Sequence, residues 1–248
     1  MDRTAPAASE GTRLAAPYLV AEIGCNHCGD FAHARRLVHS AATFCEVPAV
    51  KFQKRTPAEV LSPDEYARPH PDPRHSYGES YGAHREHLEL SLEQHRALQD
   101  YCGELGVAYS ASVWDLTSAR EIAGLQPPFI KIPSACNTWP ELAATLCDAY
   151  GGEIHVSLGM TTPAEIEALV EGYRDRGRAQ DVVLYHCTSG YPIDFEDACL
   201  LEIAHLQNTY GAAVKAIGFS GHHRGIAIDV AAFALGATFI ERHFTLDR

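Results

Sequence analysis

Residues Tyr18 to Gly24 read YLVAEIG, and a little further on Phe31 to Phe44 read FAHARRLVHSAATF. The first run is short and almost continuously apolar, the mark of a strand covered on both faces in a parallel sheet. The second has helical periodicity, and Asp30 stands where an N-cap belongs. This pairing recurs along the chain. Further apolar runs are Ala49 to Gln53 (AVKFQ), Ala108 to Val113 (AYSASV), Phe129 to Ser134 (FIKIPS), Ile154 to Gly159 (IHVSLG), Val182 to Ser189 (VVLYHCTS), Ala216 to Gly221 (AIGFSG) and Thr238 to Phe244 (TFIERHF). Helical periodicity returns at Leu92 to Leu105, Pro163 to Tyr173 and Ile226 to Leu235. Thr162 before Pro163, with Glu165 close behind, predicts a capped start, and Gly106 predicts a helix end. Eight such strands alternating with helices predict an α/β fold, a TIM (β/α)8 barrel, whose usual length of about 250 residues this chain matches. A doubly wound sheet is the alternative, but no GxGxxG follows the first strand.

The 248 residues are 46% hydrophobic and 21% charged, with a net charge of -12. That is an ordinary globular composition. The acidic balance argues against a nucleic-acid partner, and an anionic ligand would need a local cluster of cations to overcome the field. No run reaches the roughly 18 apolar residues of a membrane span, and the N-terminus lacks a signal-peptide core, so a cytoplasmic protein without a membrane partner is expected. Eight scattered Cys suit small buried hydrophobes in a reducing compartment. Cys25-x-x-Cys28 lacks the second pair that a zinc site would want. Residues 1–16 read as a flexible extension and 17–248 as the barrel domain. The proline-rich stretch from Arg55 to Arg85 reads as a long irregular loop on the catalytic face, a lid or substrate clamp.

Active sites of such barrels sit at the C-terminal strand ends. Polar residues gather there: Glu22, Asn26, His27, Lys51, Gln53, Ser110, Ser112, Lys131, Ser134, Ser157, His186, Ser189, Ser220, His222, His223, Glu241 and His243. Lys51 and Lys131 interrupt apolar strands, and a lysine is almost never buried without a partner. Each is either one half of a structural ion pair, Glu22 being a candidate partner, or part of an anion site with the serine hydroxyls as donors. A Schiff-base role is a third reading. His222 and His243, on adjacent strands, suit one metal ion with open positions for substrate oxygens. His84, His87 and His95 are expected on a solvated helix edge.

AEIGCNHCGD (Ala21 to Asp30), VKFQ (Val50 to Gln53), LELSLEQH (Leu88 to His95), KIPS (Lys131 to Ser134), SLGM (Ser157 to Met160), HCTSGYP (His186 to Pro192), GFSGHH (Gly218 to His223) and ERHFTLDR (Glu241 to Arg248) together resemble the sialic acid synthase family. The resemblance runs from about Pro17 to Arg248. It implies a TIM-barrel transferase that condenses phosphoenolpyruvate with an aldehyde sugar such as N-acetylmannosamine, releasing phosphate with a divalent metal, Mn2+ or Mg2+. By motif, Lys51, Ser112, Lys131, Ser134, Ser157, Ser189 and Ser220 would hold phosphoenolpyruvate, with Gln53, Asn26 and His27 among the substrate-binding residues. His222 and His243 would bind the metal, and Glu22 would orient or deprotonate the attacking water, so that Glu22, Lys131 and His222 form the catalytic set. Two ammonium groups would neutralise the trianion.

Several residues depart from the family pattern. Ser134-Ala135-Cys136 and Ser220-Gly221-His222 lack acidic residues common there, and Asn26-His27-Cys28 stands where a second Asn is usual. Both losses of charge fall near the sugar and bear on its identity. The sequence ends just past the eighth strand, so a barrel cut short is expected. It would lack the closing helix and the C-terminal antifreeze-like domain, which a homodimer or a partner chain would have to supply. A Schiff-base aldolase using Lys131 and a non-catalytic partner of a full-length synthase are the competing expectations.

Overall fold

The computed structural model describes residues 16–247, so the extension expected over residues 1–16 lies almost wholly outside the described residues. Eight strands, β1 (Tyr18–Gly24), β2 (Ala49–Lys54), β3 (Ala108–Val113), β4 (Phe129–Ile132), β5 (Glu153–Ser157), β6 (Val182–Cys187), β7 (Ala216–Gly221) and β8 (Phe239–His243), close into one barrel in sequence order. Every neighbouring pair is parallel, including β1 with β8. The helices that return the chain are α1 (Phe31–Thr43), α2 (Pro57–Val60), α3 (Pro63–Ala67), α4 (Tyr81–His87), α5 (Leu92–Glu104), α6 (Leu116–Leu125), α7 (Pro140–Ala149), α8 (Pro163–Asp175), α9 (Leu201–Tyr210) and α10 (Ala227–Ala234). The expected TIM barrel is the observed fold.

Local chemistry sets the ends of these elements. Asp30 caps α1 by accepting from the Ala32 and His33 amides, and Thr162 with Glu165 forms a complete capping box at α8. Gly106 takes the left-handed conformation, φ +72°, just past α5, where a β-carbon would be strained. Outward-facing strand residues such as Val50, Phe52, Ile130 and Ile217 pack with Leu37, Leu98, Ile122 and Leu142 of the helices in one continuous core. Inside the barrel Val20, Ala49 and Phe129 form a separate apolar cluster. Because side chains alternate faces along a strand, the next inward positions on the same three strands are Glu22, Lys51 and Lys131. The barrel interior is therefore apolar below and charged above.

Three expectations need correction. The stretch after β2 is not an irregular loop: prolines 57 and 63 sit in the first turns of α2 and α3, and α4 buries Gly82 and His84. Proline fixes φ near its helical value and lacks only an amide that a first turn leaves unused, so here it starts helices. His95 is no solvated edge. It is fully buried, with Nδ1 2.6 Å from the Tyr109 hydroxyl, and His84 is buried too, while His87 is exposed. Of the eight Cys only Cys102 and Cys187 are buried, and all eight are free.

Candidate active site

Eleven of the expected site residues line a single cavity of about 310 Å3 at the C-terminal strand ends: Glu22, Lys51, Gln53, Ser112, Lys131, Ser134, Ser157, Ser189, Ser220, His222 and His243. Period-two alternation explains why the strands deliver them, since Lys51 with Gln53, Ser220 with His222 and Glu241 with His243 are each two apart and share the inward face. Asn26 and His27 do not line it. The Asn26 amide donates to the Phe244 carbonyl, and His27 accepts from the Gly29 amide, so both brace the turn after β1. Ser110, His186 and His223 are likewise spent on structure, the first donating to the Phe129 carbonyl and the last held by Arg242 and Asp229.

The floor of the cavity is a buried quartet of charges. Lys51 Nζ lies 2.5 Å from Glu22 Oε2, 3.7 Å from Glu241 Oε1 and 2.6 Å from Ser112 Oγ, while Lys131 Nζ lies 2.7 Å from Glu241 Oε1. All four side chains are at least 94% buried. Burial alone would push Lys51 down, but Glu22 and Glu241 outweigh it and hold its ammonium above the ordinary value. Lys131 goes the other way, lowered by burial and by Lys51 despite Glu241. Glu241 resists the upward push of burial because both lysines hold it well below the usual carboxylate range. The lysines are paired, as the first of the early readings has it, and they also line the cavity. The two cations are matched by two anions, so the quartet itself offers no excess positive charge to a trianion.

Hydroxyls crowd one wall. Ser134 Oγ accepts from the Gly159 amide at 3.1 Å, and a β-carbon placed on Gly159 would stand 2.5 Å from Ser189 Oγ and 2.7 Å from Ser134 Oγ. A β-carbon there would have to push both hydroxyls aside. The His222 and His243 rings are 5.6 Å apart, and Tyr191 packs over His222 at 4.1 Å. His222 Nδ1 lies 3.0 Å from the Thr188 carbonyl and so carries the proton it donates. Burial lowers this ring to about 4, so it is neutral and Nε2 keeps a free lone pair. Among the described residues no three His, Cys, Asp or Glu are grouped as a metal site, so an ion here would have two protein imidazoles and open positions.

From Glu22 the polar chain continues outward: Gln53 donates to Glu22 Oε1 at 2.8 Å, and Arg55 donates to Gln53 Oε1. Arg55 also lies 3.4 Å from Glu89, whose carboxyl burial pushes up to about 7 even though Arg55 pulls it down. Arg55, Trp114, Cys187 and Tyr191 belong to this region though the sequence reading passed them over, and Glu241, placed at this end by the sequence, was given no part in the site. The signal was available for two of them. Arg55 continues the inward series Lys51, Gln53, and Glu241 shares its face with His243.

The sequence and the fold have known counterparts. A model described as NeuB family matches residues 37–248. The chain belongs to the NeuB family. It is 38% identical over 234 residues to the N-acetylneuraminate-9-phosphate synthase of Drosophila melanogaster, covering 93% of this chain and 60% of that protein. It is 33% identical to the N,N'-diacetyllegionaminic acid synthase of Campylobacter jejuni, covering 93% and 68%. Among solved structures, the N-acetylneuraminic acid synthetase of Leptospira borgpetersenii in complex with citrate superposes with a TM-score of 0.79 at 27% identity, over 94% of this chain and 74% of that one. The chain spans about three fifths of the length of the Drosophila NeuB-family relative.

Proposed function

We infer that this NeuB-family chain condenses phosphoenolpyruvate with an N-acetylmannosamine-like aldose, giving a sialic-acid-like 2-keto-3-deoxy sugar acid and phosphate. The observation that carries the reading is the quartet Glu22, Lys51, Lys131 and Glu241 on the floor of a cavity that also holds five serine hydroxyls and the His222–His243 pair. Lys51, Lys131, Ser134 and Ser189 would bind the phosphate and carboxylate oxygens as charged and neutral donors. His222 and His243 would hold a divalent metal, Mn2+ or Mg2+. Their fit is supported by the free Nε2 of His222, and by a charge-neutral quartet that leaves a trianion short of countercharge. Bound there, the ion supplies Lewis-acid polarisation of an aldehyde oxygen.

The enol C3 then bonds to the aldehyde carbon, and the former aldehyde oxygen takes up a proton. Water adds at C2 as Glu22 accepts its proton, and the C2–O bond to phosphate breaks, leaving the keto acid. Lys131 remains next to Glu241 to meet the departing phosphate. Both phosphorylated and unphosphorylated products are named among the relatives, so the acceptor's phosphate state is the open choice.

Phosphate release from phosphoenolpyruvate with Mn2+ and a panel of aldoses tests the reading. It fails if no aldose gives turnover and a His222→Ala variant binds Mn2+ as tightly as the parent. A second reading, a Schiff-base aldolase, draws support from the lowered Lys131, since a less basic amine is more often a free nucleophile. Borohydride trapping with pyruvate discriminates: a covalent adduct on Lys131 favours the aldolase, and none favours the synthase.

A further inference from the structure

The pairing of β7 with β8 runs up to Gly221 and Arg242, and His222 and His243 are the next residues in the chain after that rung. Each histidine is anchored on its far side. His222 Nδ1 meets the Thr188 carbonyl at 3.0 Å, and the His222 carbonyl accepts from the Ile193 amide at 3.2 Å, both partners lying in the segment after β6. His243 stands opposite Glu22 of β1. The next residue, Phe244, gives its amide to the Glu22 carbonyl at 2.8 Å, and its own carbonyl accepts from the Asn26 side chain at 2.9 Å. The two rings are thus held from opposite sides, and their separation depends on what crosses from the segment after β7 to β8.

Arg242 makes that crossing. Alternation along β8 turns its side chain to the outer face, away from Glu241 and His243. One terminal nitrogen lies 2.6 Å from the His223 carbonyl. The other lies 3.0 Å from the Gly225 carbonyl and 2.8 Å from His223 Nε2, and it donates to Asp229 of α10. A guanidinium only donates, so the His223 ring accepts here. Four acceptors surround a planar group whose N–H directions are fixed, whereas a lysine would offer one compact ammonium on a flexible stem. Arg242 is therefore next in sequence to one histidine of the pair and bonded to the residue next to the other.

We propose that Arg242 is a positioning residue for the His222–His243 pair, setting the separation of the two imidazoles, with Asp229 as the carboxylate that orients its guanidinium. The proposal rests on the reading of that pair as the metal site. Groups one step removed from the ligands are typically worth tenfold to a hundredfold in metal affinity. Arg178 is a natural control. At the N-terminal ends of β5 and β6, the end of the barrel remote from the cavity, it donates to the carbonyls of Cys147, Tyr150 and Gly152 and to Asp181. It is a clamp of the same chemistry, placed where it can steady the fold and nothing else.

Titration of the 248-residue chain with Mn2+, in the presence of phosphoenolpyruvate and no aldose, tests the proposal without turnover, the electron paramagnetic resonance signal of free Mn2+ reporting binding. Arg242→Lys should weaken Mn2+ binding roughly tenfold to a hundredfold. Arg178→Lys should lower the thermal midpoint and leave the Mn2+ affinity unchanged. Asp229→Asn keeps the shape of the acceptor and removes its charge, so it should shift the affinity in the same direction by a smaller factor, and it carries the test if Arg242→Lys does not fold. Unchanged affinity in both Arg242→Lys and Asp229→Asn, or an equal loss in Arg178→Lys, would overturn the positioning role. If His222→Ala abolishes binding in that case, the metal pair stands without its clamp. A parent that binds no Mn2+, or a His222→Ala variant that binds it as the parent does, would sink the metal reading and the positioning role with it.

Discussion

Two clusters of buried polar groups lie one above the other inside the same barrel, and they are built on different terms. In the lower one His155 stacks on Phe129 at 4.2 Å, touches the Tyr185 hydroxyl through Nδ1 at 3.0 Å and reaches Glu153 at 3.4 Å. Its ring is neutral, its partners are close and aromatic faces surround it. The upper cluster carries four full charges, and Glu241 Oε2 has no hydrogen-bond partner. Fully satisfied polar groups fix a core, whereas partly satisfied ones leave room for a ligand. The lower cluster belongs to the fold and the upper to the chemistry. Lys131 stands at the boundary, with its ammonium 4.3 Å over the Tyr185 ring.

The comparison can be broken from either side. Glu22→Gln keeps shape and removes the proton acceptor, so kcat for phosphate release should fall by roughly a hundredfold or more with little change in thermal midpoint. An active Glu22→Gln variant would remove the upper cluster from the chemistry. Lys131→Met leaves Glu241 buried without its closest partner and should cost about 3–5 kcal/mol in urea unfolding. Combining it with Glu241→Leu should recover most of that loss, and if it does not, the pairing argument fails. His155→Ala should cost about 2–4 kcal/mol through the cavity it leaves, its effect on stability exceeding that on turnover. The reverse order would erase the division between floor and site.

Acid sensitivity sharpens the contrast. Burial holds the His155 ring down to about 4, and burial, then the Lys54 charge, holds His95 down to about 3. In the unfolded chain both titrate near ~6.5. Below that pH the unfolded state binds more protons, so stability falls as pH drops from about 6.5 toward 4, by up to ~1.4 kcal/mol per unit for each ring. Urea midpoints between pH 7 and 5 measure the slope, which His95→Phe should flatten. The smallest effect is expected from Gly159→Ala, whose methyl would push apart Ser134 and Ser189 and raise the KM for phosphoenolpyruvate about tenfold, the equivalent of one good hydrogen bond. An unchanged KM would remove the serine pair from the anion site.

How far these residues were legible in the sequence depended on range. The strands were readable because burial on both faces writes continuous apolarity into them, and the caps because Asp30 and Thr162 act on amides two or three residues away. Period two then placed Lys51, Gln53, His222 and His243 on one face. What single-residue patterns do not encode is who stands opposite. Glu241 became the partner of both lysines through closure of the barrel, which brings β8 beside β1 and within reach of β4, 110 residues away in sequence. His95 misled for a related reason. Its helical spacing with polar neighbours looked solvated, while Tyr109 on β3 supplied the buried hydroxyl that meets its Nδ1. The segment after β2 misled through its prolines, which punctuate loops and open helices alike.

The neutrality of the Glu22–Lys51–Lys131–Glu241 quartet has a thermodynamic consequence. A site whose fixed charges already cancel cannot take up a trianion alone without concentrating negative charge in a buried cavity. Its uptake must be coupled to that of a cation or to the entry of protons. Coupling of that kind is reciprocal, so whatever factor the cation adds to the affinity for the anion, the anion adds to the affinity for the cation. The two would load together, and the cavity would remain a poor trap for either one by itself.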